Sequence, residues 1–251
     1  MRKKLYKNDS IKSLYKPFSL LELMVVLAVI GILTSLLIPY LAKARKTARI
    51  AVCTSNQKQL GVAMYNFALD NDRYLPKPYS QVSWDDMLSG YDGRNLTDAE
   101  KAAGGFNKSD YAEDYAQVYR CPLFEDRGTA VQMSYAVTGK NTHKSFQVLI
   151  FTGSSFKLTR LTTPAETIML FDYNRNYTRL GRARHSIARA TDLPAHSMQR
   201  GMMHDNYDLN YLFVDGHVKE MNWYATFVPY GSGSWDVRRS LWDADKDDPN
   251  M

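Results

Sequence analysis

Residues 16–40 read KPFSLLELMVVLAVIGILTSLLIPY, and this stretch decides the fold. Its apolar part, residues 18–38, would be about 31 Å long as an α-helix, which is enough to cross the hydrocarbon core of a bilayer. Glu22 is the only charged residue in the run. The run is longer than that of a secretory signal, and a helical pattern continues beyond it. We therefore predict a transmembrane helix that is retained rather than removed as a signal peptide.

Basic residues precede the apolar run. Residues 1–17 contain six basic side chains and one acid, whereas the formal net charge of the whole chain is only +6. The positive-inside rule therefore places residues 1–17 in the cytoplasm and the rest of the chain on the other side of the membrane. Because the basic charge lies on a tail and the body is nearly neutral, we expect no nucleic-acid partner.

Glu22 needs an explanation, since an acid inside a bilayer costs about 2.5–3.5 kcal/mol on insertion scales. Its position near the start of the run allows the carboxylate to reach the headgroups. Alternatively, a cut before Phe18 would create a new α-ammonium group one helical turn from Glu22. That amine could pair with Glu22 in the same chain or in a neighbouring chain. Both interpretations remain open at this point.

The sequence FSLLEL at 18–23, the apolar run and Pro39 resemble the N-terminal signature of type IV pilins and type II secretion pseudopilins. The resemblance implies that a prepilin peptidase cuts between Pro17 and Phe18 and methylates the new amine of Phe18. It also implies that Glu22 guides assembly with other pilin or pseudopilin subunits. The expected location is the bacterial inner membrane, as a single-pass protein with a cytoplasmic N-terminus and a periplasmic or extracellular head, and then a filament.

Apolar residues at helical spacing continue after Pro39 as far as Phe67, in a stripe rich in alanine. We therefore predict four segments: a basic leader at 1–17, a transmembrane and assembly helix at 18–39, an amphipathic continuation at 40–75 and a globular head at 76–251. Gly61 is expected to weaken the helix. Pro39 follows the apolar run directly, where we expect a kink.

Short helices and strands are predicted in the head. Ser83 with Asp86, and Thr97 with Glu100, have the spacing of capping boxes and predict two helix starts. Residues 131–137, 145–151, 166–173 and 210–214 are rich in β-branched and aromatic residues and predict strands. Asp215-Gly216 predicts a two-residue type I′ hairpin turn with Val214 facing His217. The stretch after Tyr230 is expected to be irregular.

The predicted fold class is α+β and pilin-like, with one long N-terminal helix packed on an antiparallel sheet. Four further sequences resemble one pilin-like subfamily: residues 57–76, RCP at 120–122, residues 163–172 and FVDGHV at 213–218. That subfamily is defined by a His, nine residues and Asp-Gly. Here ten residues separate His204 from Asp215-Gly216, so the role of His204 is not carried over.

Cys53 and Cys121 are the two cysteines. They belong to no CxxC motif, and no Cys/His cluster occurs along the sequence, so we predict no zinc site. In an exported head, the two would form a disulfide worth roughly 4 kcal/mol. Two unpaired thiols are the alternative.

Two stretches space oxygen ligands as calcium sites do. The candidate ligands are Asp172, Asn174 and Asn176 in one stretch, and Asp243, Asp245 and Asp247 in the other. The first stretch lacks the glycine expected at the bend of a calcium loop, and the second lies in a region expected to be irregular. We favour solvated loops at both places and predict no metal and no cofactor.

No HExxH, GxSxG or P-loop pattern occurs, so we do not expect an enzyme. A hydrolase using His204 and Asp215 is kept as a weak alternative. Residues 179–190 carry four arginines, which we interpret as a surface segment rather than a site for an acidic polymer. The expected function is that of a structural filament subunit. The main alternative, favoured by Pro17 where the family has Gly, is an unprocessed envelope protein whose head binds a ligand such as a polysaccharide.

Overall fold

The computed structural model describes residues 18–111, 115–124, 128–139, 150–151, 154–173, 180–181, 187–188, 204, 207–226, 228–230, 234–236 and 241–242. The chain divides into two compact units, Met1–Arg45 and Lys46–Met251. Helix α1, Leu20–Asp70, continues without a break through Pro39 and contains the boundary between the two units. The boundary falls within the predicted amphipathic segment 40–75.

The described part of the first unit is the apolar half of α1. Every residue from Phe18 to Arg45 is exposed, including Phe18 itself at 76%. Within the described residues, α1 is the one helix that is long and apolar enough to cross a membrane by length and composition. A helix surface that is apolar on all sides and has no core around it is typical of a segment that contacts lipid or other helices.

The second half of α1 is buried on one face in the second unit. Its buried residues recur at helical spacing: Cys53, Gln57, Leu60, Gly61, Ala63, Met64, Phe67 and Ala68. A Cβ atom built on Gly61 would lie 3.1 Å from a methyl carbon of Leu212. Gly61 therefore permits close packing of α1 against a strand, and the expected weakness of this position is offset by that contact.

Nine strands are described. They are β1 Tyr135–Thr138, β2 Ile150–Phe151, β3 Ser154–Ser155, β4 Ile168–Asp172, β5 Ile187–Ala188, β6 Asp208–Phe213, β7 Val218–Asn222, β8 Val228–Tyr230 and β9 Ser234–Asp236. Five form one sheet in the order β5-β1-β4-β6-β7, and β2–β3 and β8–β9 form two small sheets. The strands β1, β4, β6 and β7 are antiparallel, while β5 pairs with β1 in parallel. The predicted α+β class is confirmed in this coarse form.

Both faces of the five-stranded sheet carry a core. Alternate residues of β6 divide between them, since Leu212 packs with the buried face of α1 whereas Tyr211 belongs to a second cluster. That second cluster includes Phe171, Trp223 and Trp242, and the Trp242 indole donates to Thr226 at 2.8 Å. The expectation of an irregular stretch after Tyr230 is therefore wrong in part, because β9 and a buried tryptophan lie within it.

The last hairpin differs from its predicted form. Leu212 pairs with Val218, so the turn joins Phe213 to His217 through three residues rather than two. Gly216 has φ +91°, whereas Asp215 does not have a positive φ. A type I′ turn requires positive φ at both central residues, and a three-residue loop requires it only at the glycine. The predicted type I′ turn and its pairing of Val214 with His217 are therefore wrong by one residue.

Two short helices begin where the sequence predicts. Helix α2, Trp84–Met87, has Ser83 as its N-cap, and α3, Asp98–Ala102, has Thr97. Both helices carry the complete capping box, with Asp86 and Glu100 as the acids. Short 3-10 helices occupy Lys108–Asp110, Gln117–Tyr119, Leu158–Arg160, Pro164–Glu166 and Trp223–Thr226.

Candidate functional site

The first candidate is the start of α1. Pro17, the residue before the predicted cut, lies outside the described residues. Ser19 is followed by the first helical residue, and its hydroxyl accepts from the backbone N–H of Glu22 at 3.1 Å. The Glu22 carboxylate accepts in return from the backbone N–H of Ser19 at 2.9 Å. Glu22 thus closes a capping box, which the S-x-x-E spacing at 19–22 indicates and our sequence analysis missed.

Small residues follow along the same exposed helix. A Cβ on Gly31 would meet nothing within 4 Å. The hydroxyl of Thr34 donates to the Ile30 carbonyl at 2.8 Å, and that of Ser35 donates to the Ile32 carbonyl at 2.7 Å. The hydroxyls are therefore satisfied within the helix, so this surface can enter an apolar environment without leaving them unpaired.

The second candidate lies in the head, around a disulfide. Cys53 of α1 and Cys121 are joined, with their Cα atoms 4.9 Å apart, and both are buried. The structure thus joins the pair that the sequence analysis expected to be joined. The sulfur of Cys121 lies 3.9 Å from Nε2 of His204. A histidine distant in sequence therefore lies directly against the disulfide.

His204 is fully buried as a side chain and lies between two carboxylates. Its Nε2 is 3.1 Å from Oδ2 of Asp172, and its Nδ1 is 2.9 Å from Oε1 of Glu220. Burial acts to lower the pKa of His204, but the hydrogen bonds and charges of Asp172 and Glu220 outweigh it and raise the pKa above its ordinary value. With a carboxylate at each nitrogen, the imidazolium form can donate on both sides.

The sheet and the helix position the acids of this group. Asn210 of β6 pairs in register with Glu220 of β7. The backbone N–H of Asn210 donates to Oδ2 of Asp172 at 2.8 Å. Gln57 of α1 donates to Oδ1 of Asp172 at 3.0 Å. We call these five residues the His204 cluster: Gln57, Asp172, His204, Asn210 and Glu220. Strand pairing and helix packing bring them together, so no local sequence motif indicates the group.

The partners of His204 differ from those considered in the sequence analysis. Asp215 accepts from the ring Nδ1 of His217 at 2.6 Å and from its backbone N–H at 3.1 Å. His204 instead contacts Asp172 and Glu220, so the structure does not form the His204–Asp215 pair of the hydrolase alternative.

Calcium candidate Asp172 is buried in β4, with both carboxylate oxygens already accepting hydrogen bonds. The other candidates lie outside the described residues: Asn174, Asn176, Asp243, Asp245 and Asp247. The arginines of the segment 179–190 lie outside them as well.

A third polar group surrounds Arg94. Its guanidinium lies 3.2 Å from the carboxylate of Asp85 and 2.7 Å from that of Asp92, and all three side chains are almost completely buried. The Tyr119 hydroxyl donates to Asp92 at 2.5 Å, and the Gly181 N–H donates to Asp85 at 2.9 Å. The Arg94 cluster consists of Asp85, Asp86, Asp92, Arg94 and Tyr119.

Asp86 is the unpaired acid of the Arg94 cluster. One of its oxygens accepts from the backbone N–H of Ser83 at 2.8 Å, while the other is buried with no partner among the described residues. Burial, and then the negative charge of Asp85, raise the pKa of Asp86 to about 7. Asp86 therefore holds its proton up to near neutral pH.

The fold and these sites define an α+β protein in which the described residues contain one helix of membrane-spanning length and a disulfide within the head. Neither a family model, nor a curated protein, nor a solved structure matches the chain.

Proposed function

We propose that this protein is a structural subunit, a pilin or pseudopilin, of a type IV pilus or a filament like that of type II secretion. A prepilin peptidase cuts it between Pro17 and Phe18 at the bacterial inner membrane and methylates Phe18. The chain then assembles with other subunits through the apolar half of α1. The observation that supports this proposal best is the complete exposure of that apolar half, from Phe18 to Arg45.

Such a surface requires an apolar partner, because exposure of apolar side chains to water is unfavourable in free energy. Lipid supplies that partner before assembly, and neighbouring helices supply it in a filament. Small residues allow helices to approach closely in both settings, and Ala28, Gly31, Thr34 and Ser35 provide them here. The same helix therefore suits storage in the membrane and packing in a filament.

Glu22 has a role in each of the two states. In the single chain its carboxylate accepts the Ser19 N–H and closes the capping box. After the cut, the α-amine of Phe18, from the same or a neighbouring subunit, offers a charged partner for the same carboxylate. The Ser19 N–H is a neutral donor, whereas the α-ammonium group carries a full positive charge, so the carboxylate would gain an ion pair. Assembly would therefore exchange a local cap for a contact between subunits.

A pair of substitutions separates the cap from the charge. Glu22→Gln keeps the capping box, since glutamine also serves at this position, but it removes the negative charge. Ser19→Ala removes the hydroxyl cap and keeps the charge. In cells that express the prepilin peptidase, we expect Glu22→Gln to abolish incorporation into filaments and Ser19→Ala to retain most of it. The opposite order of effects would show that Glu22 acts only as a helix cap.

Mass spectrometry of the N-terminus of the purified protein tests the cut directly. A chain that starts at methylated Phe18 is the expected result. A chain that starts at Met1 would refute processing and favour an unprocessed, membrane-anchored envelope protein whose head binds a ligand such as a polysaccharide. Pro17, in place of the glycine of the family, is the sequence feature behind that alternative.

A further inference from the structure

Four potential metal ligands meet in the core of the head. The sulfurs of Cys53 and Cys121, a carboxylate oxygen of Asp172 and a ring nitrogen of His204 all lie within 4.8 Å of one another. All four residues are buried. Two sulfurs, one imidazole and one carboxylate are a donor set suited to Zn²⁺, which binds cysteine, histidine and acidic side chains with tetrahedral geometry.

Two of the ligand separations lie within about 0.2 Å of the range that a tetrahedral zinc ion requires. Tetrahedral Zn²⁺ with bonds of about 2.0–2.3 Å holds its ligand atoms roughly 3.3–3.8 Å apart. Nε2 of His204 lies 3.1 Å from Oδ2 of Asp172 and 3.9 Å from the sulfur of Cys121. The main obstacle is the covalent bond between the sulfurs, because bonded sulfurs offer no thiolate and leave no room for an ion between them.

The surroundings of the cluster resemble the second layer of contacts that orients zinc ligands. Nδ1 of His204 faces the carboxylate of Glu220 at 2.9 Å, which leaves Nε2 as the nitrogen directed at the other three donors. A carboxylate on the far nitrogen fixes the tautomer and increases the basicity of a metal-binding histidine. Gln57 and the Asn210 N–H hold the carboxylate of Asp172 in the same way.

We propose that reduction of the Cys53–Cys121 disulfide opens a Zn²⁺ site in which both thiolates, His204 Nε2 and the Asp172 carboxylate are the ligands. A phosphine reductant breaks the S–S bond and becomes a phosphine oxide, taking its oxygen from water, whose two hydrogens complete the two thiols. Zn²⁺ then displaces both thiol protons and the proton on Nε2. The oxidised head has no zinc site at this position, so disulfide and metal are alternatives. This inference does not rest on the proposed filament role.

Metal binding is measured on the untagged, full-length protein in detergent, oxidised or reduced with a phosphine. Co²⁺ is added as a spectroscopic probe and then displaced by Zn²⁺. We expect one equivalent of Co²⁺ per reduced chain, with thiolate charge-transfer bands and the ligand-field bands of tetrahedral cobalt. The oxidised chain should show neither. A reduced chain that binds no Co²⁺, or binds it without thiolate bands, would overturn the proposal.

Substitutions assign the other two ligands. His204→Gln and Asp172→Asn should each change the ligand-field bands and weaken binding by at least tenfold, whereas His217→Gln should change neither. His217 is a matched control because it also pairs with a carboxylate, that of Asp215, but lies outside the four donors. Unchanged bands in both His204→Gln and Asp172→Asn would refute the ligand set.

Glu220→Gln tests the outer contact of His204 without a change inside the core, because the Glu220 side chain is 43% exposed. Loss of such an outer contact weakens metal binding about 10–100-fold while the ligands stay in place. We therefore expect weaker binding with cobalt bands of unchanged position. Circular dichroism and the content of native disulfide in each oxidised variant show that the head has folded. Binding as tight as in the original chain would contradict the role assigned to Glu220, that of orienting His204.

Discussion

Two capping boxes in the head have the same pattern and opposite electrostatics. In each, the side chain of the acid accepts from the backbone N–H of the N-cap residue, at 2.8 Å for Asp86 and 2.8 Å for Glu100. Hydrogen bonds from Thr97 lower the pKa of Glu100 at the surface. Burial and the charge of Asp85 raise the pKa of Asp86 to about 7. The motif sets the hydrogen bonds, whereas the surroundings decide which protonation state those bonds favour.

The largest expected effect comes from removing the cation beside the buried box. Arg94→Met leaves Asp85 and Asp92 buried without a counter-charge, and loss of one partner of a buried ion pair costs about 3–5 kcal/mol. Chemical denaturation of the oxidised protein measures this loss. Lys101→Met is the matched control, since Lys101 pairs with an exposed Asp98 and should contribute less than about 1 kcal/mol. Equal losses in the two variants would contradict the role given to Arg94.

The next effect is a dependence of stability on pH. Asp86 holds its proton in the folded chain up to about pH 7, whereas an unfolded aspartate loses it near its ordinary pKa. The folded state therefore binds more protons between those values, and its free energy of unfolding falls as pH rises, by roughly 4 kcal/mol at 1.36 kcal/mol per pKa unit.

Asp86→Asn resembles the neutral acid and should flatten this slope. The variant should match the original chain near pH 4 and exceed it in stability near pH 8. Unfolding measured across that range checks the prediction. A slope that persists in Asp86→Asn would show that another group carries the proton.

The smallest effect belongs to the exposed box. Thr97→Ala removes the hydroxyl that accepts from the backbone N–H of Glu100, and loss of such an N-cap costs about 1 kcal/mol. The sign of the pH effect is opposite to that of Asp86. Because the pKa of Glu100 is lowered, its contribution is present above the unfolded pKa and is lost as pH falls through the folded value. The free energy of unfolding of Thr97→Ala and of the original chain is measured as pH is lowered. A difference between the two chains that does not change with pH would contradict this role of Glu100.

Local patterns predicted the features that depend on neighbours in sequence. Both capping boxes of the head, the long helix and the α+β class follow from spacing and composition, because caps and helix faces repeat within a few residues. The predicted length of the hairpin loop was wrong by one residue, since Asp-Gly suits both a two-residue and a three-residue loop. The three-residue loop places Val218 opposite Leu212, on the face that packs under α1, where the two-residue loop would place Lys219.

The His204 cluster was not predictable from spacing. Gln57 and Asp172 are 115 residues apart in sequence, and Cys121 and His204 are 83 apart. Only strand pairing and the packing of α1 bring them together. The burial of Trp242 was not predictable from local composition either, because Trp242 follows a segment whose composition predicts irregular structure. The prediction of no zinc site was drawn from the absence of a CxxC motif or a Cys/His cluster along the sequence, and such a local pattern gives no information on a site assembled from distant elements.

The disulfide also changes how the head would respond to tension. Cys53 lies on α1 and Cys121 is 68 residues further along the chain, so the intact bond keeps the intervening segment from lengthening. Reduction would release roughly 230 Å of additional contour length when the chain is stretched, at 3.3–3.6 Å per residue. The covalent bond thus passes a pulling force from α1 directly to Cys121, and the loop-rich region that contains the Arg94 cluster carries none of that load.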